Sequence, residues 1–93
     1  MVVDIMKIHK LKTVNPYFND IWNRIKNFDV RQNDRNFKIG EYLLLREYDP
    51  NTLNKYLFRE LLCRIFYIFK DSKFLKKGFI IMGIHIIEKV RLK

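Results

Sequence analysis

The sequence predicts an α+β domain: a small β-barrel of about five mainly antiparallel strands, with one main helix at about 15–27 packed against it. Three observations predict this class. One segment repeats its apolar residues with a helical period, whereas the others alternate or run apolar over strand-like lengths between turn residues. Alanine, the best helix former, is absent, and β-branched and aromatic residues take up much of the chain. The chain has 93 residues, 48% of them hydrophobic. A domain of that size buries roughly 60–70% of its unfolded surface and can hold one core without disulfides or metals. Strands joined by short turns most economically curl into a barrel, which removes open edges. The whole of 1–93 reads as a single domain.

The first strand is MVVDIMKIHKLKT, with Ile5, Met6, Ile8 and Leu11 apolar against Lys7, Lys10 and Lys12. The helix follows in NPYFNDIWNRIKN. Asn15 is expected as its N-cap, and Pro16 in the first turn, where the missing N–H costs nothing. Tyr17, Phe18, Ile21, Trp22 and Ile25 then mark one apolar face, with Asp20, Asn23, Arg24 and Asn27 opposite. After the helix the period falls to two. In FDVRQ, Phe28 and Val30 alternate with Asp29 and Arg31, which puts both charges on one face of a short strand. NDRN is a turn, and Gly40 is expected in a conformation that other residues avoid. EYLLLREYD is the third strand, closed by the DPNT turn. LFRELLCRIFYIF is the fourth, favoured as a strand by its aromatic and β-branched content, although Phe58–Phe69 also fits a helix; GFIIMGIHIIE is the last, after the basic loop KDSKFLKKG. The tail from about 88 to 93 is expected to be loose.

Nineteen Lys and Arg against ten Asp and Glu give a net charge of +9. Such a field attracts polyanions or an anionic membrane surface, with plain solubility as the competing reading. From Lys70 to Lys93 there are seven basic residues and two acids. Several function classes drop out. The single cysteine, Cys63, cannot form an internal disulfide and suits a reducing cytoplasm. No apolar stretch reaches the ~18 residues of a membrane helix. His9 and His85 are the only histidines, and there is no ligand spacing for a metal; no cofactor is expected. The three glycines never cluster into a phosphate-binding loop. Cys63 lies in an apolar run and reads as a core residue, and His85 as a satisfied strand histidine.

The charges remain. Asp29, Arg31, Asp34 and Arg35 crowd into seven positions, with Lys26 at the end of the helix. Arginine forks suit phosphate or carboxylate, and acids beside them either orient them or accept from base N–H groups. A purely structural salt-bridge network at the helix–strand corner is the competing reading.

HKLKT, PYF and the long stretch KNFDVRQNDRNFKIGEYLLLREYDP resemble an ASCH-domain family of unassigned function, a branch of the PUA-like superfamily. The match runs from His9 to about Ile84. The resemblance implies a small β-barrel with one or two helices, and a cleft between helix and barrel that receives RNA or a nucleotide. The motif G-x-K-x-x-E-x-R lines that cleft, and it places Lys26, Asp29 and Arg31 there. The family's own pattern adds His9, Lys12, Asn33, Asp34 and Arg35. There are departures: Arg24 stands at the motif's glycine, Asp29 at its glutamate, and Leu57, Phe58 and Arg59 where T-G-R is common. Some ASCH relatives are small amidohydrolases with a Lys/Thr/Glu arrangement, which makes Lys26 and Asp29 the catalytic candidates of an alternative on modified nucleosides. Asp29 replaces the threonine of that arrangement, which weakens it. A third alternative is a basic phage or mobile-element accessory protein that binds another protein. The expectation is thus an RNA- or nucleotide-binding cytoplasmic module without membrane attachment, with a homodimer through exposed apolar strands as an option.

Overall fold

The computed structural model describes residues 7–92. Five strands and one short helix follow in the order β1 (Ile8–Thr13), α1 (Tyr17–Trp22), β2 (Phe28–Gln32), β3 (Tyr42–Tyr48), β4 (Tyr56–Phe69) and β5 (Phe79–Arg91). They form one curled sheet in the spatial order β1-β3-β4-β5-β2, a half-barrel. Every pairing is antiparallel except β1 with β3, which is parallel. A parallel pair needs a long crossover, and the segment through α1 and β2 supplies it. The part of the first strand expected at Ile5 and Met6 lies outside the described residues.

Alternation sets the core. The inner faces of the strands contribute Leu11, Leu43, Leu45, Leu61, Cys63, Ile65, Ile80, Met82 and Ile84. α1 closes the concave side with Phe18, Ile21 and Trp22, and Phe37 enters from the loop after β2. The sheet is barrel-like, but β1 and β2 remain as its two ends rather than pairing with each other.

Three expectations need correction. The helix stops at Trp22, not near 27, and Ile25 is 78% exposed. Its end explains why. Arg24 adopts φ 61°, its N–H donates to Ile21 O, and the Ile25 N–H donates to Asp20 O. That is a Schellman terminus, with arginine at the position usually held by glycine. Pro16, not Asn15, is the N-cap residue, although the Asn15 side chain still accepts the Asn19 N–H at 3.0 Å. The tail is not loose from 88 onward: Lys89, Val90 and Arg91 pair with Leu61, Glu60 and Arg59, because β4 is long enough to give them a partner.

Candidate functional site

β2 inverts the usual polarity of a strand. Phe28 and Val30 are 41% and 46% exposed, while Asp29 is 4% exposed and faces inward. A buried carboxylate is costly unless it is paired. Asp29 is paired: Arg31 Nε donates to its Oδ2 at 2.7 Å. The same guanidinium reaches β1, donating to Lys12 O at 3.0 Å and to Thr13 Oγ1 at 2.9 Å. Arg35 Nη1 donates to Lys10 O at 3.0 Å. Lys10 and Lys12 are two residues apart on a terminal strand, so their carbonyls point the same way, to the side where no strand follows among the described residues. Two arginines thus donate where a neighbouring strand would.

This seam lies in a cleft of about 480 Å³. Lys10 and Lys12 of β1, Arg31 of β2, Asp34 and Arg35 of the following loop, Arg46 of β3 and Tyr56 of β4 define it. Five cations there face one acid, Asp34. Aromatic rings hold two of the cations. Arg46 lies 4.0 Å from the centroid of Tyr56, and the Lys12 ammonium 4.9 Å from that of Tyr48. The two tyrosines contact each other edge to face, at 5.1 Å. Arg46 also donates to Glu60 at 3.0 Å. Such a surface can bind an anion and offer a flat ring beside it.

Of the residues expected at the site, Lys12, Arg31, Asp34 and Arg35 line the cleft, and Asp29 supports it from behind. His9 lies beneath the surface, 4% exposed, with Nε2 2.8 Å from Glu41 Oε1 and its ring against Phe37. Burial opposes ionisation of Glu41, but the hydrogen bonds from His9 and the Lys38 N–H prevail and hold its carboxyl below the ordinary range. Asn33 shapes the turn: its Oδ1 accepts the Phe37 N–H at 3.0 Å, and its own N–H donates to Gly78 O. Lys26 stands apart. Its ammonium sits over the rings of Tyr17 and Phe28, at 4.8 and 5.2 Å, on the opposite side of β2 from the Asp29 carboxylate.

Sequence reasoning missed Arg46 and the Glu47–Arg59 pair. Arg59 grips Glu47 with two donors, at 2.9 and 2.7 Å, and also bonds Asn19, while Asn15 donates to Glu47 at 3.0 Å. The Arg59 bonds hold the Glu47 carboxyl low despite its burial, and Arg59 is raised in return. No local signal marks this pair, because it forms across the β3–β4 hairpin. Cys63 is buried and its thiol is pushed up to about 12, chiefly by burial, so it has no nucleophilic character. Among the described residues no group of three His, Cys, Asp or Glu side chains could hold a metal, and no helix is long and apolar enough to cross a membrane.

No curated protein matches the chain. One family model does, that of a domain of unknown function, DUF3850, over residues 8–84. With the seam, its arginines and the parallel strand pair all inside that span, the chain belongs to the DUF3850 family.

Proposed function

We propose that this domain is an RNA-binding module of the ASCH type within the PUA-like superfamily, acting in the cytoplasm, and that single-stranded RNA or a nucleotide occupies the seam cleft. One observation carries the reading: five basic side chains converge on one cleft beside the half-buried Tyr56, with a single acid among them. Lys10, Lys12, Arg35 and Arg46 contact phosphate, and Tyr56 offers a ring for a base. Arg31 is largely committed to Asp29, Thr13 and the Lys12 carbonyl, so it positions the cleft rather than grips the ligand. The separation of Lys26 from Asp29 speaks against the hydrolase alternative, in which the two would share a proton.

The test is affinity for a short single-stranded RNA against salt. Four phosphate contacts give a slope of log affinity on log salt of about −3 for a single strand, about a 50-fold loss over a fourfold rise in salt. Lys12→Ala/Arg46→Ala should bind more weakly and reduce that slope by about half. An affinity indifferent to salt overturns the reading.

A further inference from the structure

The outer face of the sheet carries a second feature that the cleft does not use. Tyr42, Arg64 and His85 stand in register across β3, β4 and β5. His85, expected to be a satisfied strand histidine, is exposed, and its ring stacks on Phe66 at 4.2 Å with 22° between planes. Phe66 is 44% exposed and sits at an irregularity in the β4–β5 register, between Ile65 and Tyr67. It reaches across to Gly83, where a Cβ would lie 2.7 Å from the ring. Any other residue at 83 would push the ring away. Phe28, in register with Gly83, is 41% exposed, and Tyr67 is 55% exposed. Aromatic side chains left open together are unlike the scattered apolar residues of an ordinary surface.

Charge indicates the occupant. Arg64 is exposed within this face, and Lys26 lies over Phe28 at its edge. The loop after β4 carries Lys73, Lys76 and Lys77 against one acid, Asp71, whose side chain already accepts the Lys73 N–H, and the Lys76 ammonium lies 6.0 Å from the ring centroid of Phe79 at the start of β5. A second copy of this chain would bring the same cations against themselves across a two-fold axis. A polyanion with flat rings meets both features.

We propose that this outer face, built on the Phe66–His85 pair, stacks the bases of single-stranded nucleic acid as a second contact surface beyond the seam cleft. The proposal rests on the RNA-binding reading above. Base–aromatic stacking tolerates any sequence and is not ionic, so it adds affinity without adding to the salt slope.

The experiment measures affinity and salt slope for a 4-thiouridine-substituted RNA of about 12 nucleotides, a length within the reach of such stacking surfaces. Wild type is compared with Phe66→Leu, His85→Ala, Phe66→Tyr and the cleft variant Lys12→Ala/Arg46→Ala. Phe66→Leu and His85→Ala should each weaken binding about tenfold with the slope unchanged, Phe66→Tyr should bind as wild type, and crosslinks should map to Phe66 or Tyr67. If the face variants bind as wild type while the cleft variant fails, RNA binding stands and the second surface falls. If wild type binds no RNA at any salt, both readings fall. If wild type self-associates and Phe66→Leu is monomeric, the face belongs to a second copy and the proposal is overturned.

Discussion

Two arginine–carboxylate pairs do different work in this fold. Asp29–Arg31 and Glu47–Arg59 both put a carboxylate that is 4–5% exposed against a guanidinium. In the first, the arginine spends its other donors on β1, across the open side of the sheet. In the second, Arg59 takes both carboxylate oxygens and then contacts α1, through Asn19 and the rings of Phe18 and Trp22. One pair joins two strand edges at the mouth of a cleft, and the other fixes the helix to the inside of the sheet. Chemistry alone therefore does not mark a site; what the remaining donors reach does.

The two pairs are separable by mutation. Glu47→Gln leaves Arg59 in a partly buried place without its counter-charge and should cost about 3 kcal/mol in denaturant unfolding. A loss near zero would mean that α1 is held by its apolar contacts alone. The same pair should show in acid. Glu47 and Glu41 both have folded pKa values below the ordinary carboxylate value, so the unfolded chain binds more protons and stability rises with pH in that range. Their contribution is complete above about pH 5 and is lost as pH falls through the lowered folded values. Urea midpoints from pH 7 to pH 3 should fall steeply below pH 4.5, and less steeply in Glu47→Gln.

Asp29→Asn should cost less, about 1–2 kcal/mol, because Arg31 keeps its bonds to Lys12 O and Thr13 Oγ1. It also frees positive charge at the cleft, so anion affinity should rise or hold while stability falls. If affinity fell with stability, the seam would be part of the ligand contact rather than its support. The smallest effect is expected at the helix end. Arg24→Gly relieves a left-handed residue at the cost of unfolded-chain entropy, and should stabilise by about 0.5–1 kcal/mol, seen as a raised thermal midpoint.

Much of this was legible in the residues. Period-two alternation placed β2, and strand-like runs between turn residues placed β3, β4 and β5, each within a few positions, while the NDR segment pointed to a charged turn that does border the cleft. The helix was overread because the apolar spacing of Tyr17 to Ile25 continues past the true end, and nothing in that spacing reveals a left-handed Arg24. Lys26 was placed with Asp29 through the resembling motif, but period-two alternation sends Phe28 and Asp29 to opposite sides, and Lys26 follows Phe28. Arg46, Tyr56 and Arg59 escaped because their roles depend on register between β3 and β4, a non-local quantity that no single segment encodes.

The parallel joint between β1 and β3 has a consequence for the order of assembly. It ties Ile8 to Tyr42, whereas β4 and β5 begin their pairing at Phe69 and Ile81 across one loop. Closing the shorter loop first costs less chain entropy, so the β4–β5 hairpin should nucleate and β1 should dock late. Held on one side by backbone and on the other by two arginine side chains, β1 should also open more readily than the hairpin in the native state. Amide hydrogen exchange would then run faster at Leu11 and Thr13, which face β3, than at Cys63 and Ile84, and the cleft that β1 borders would come and go with that local opening.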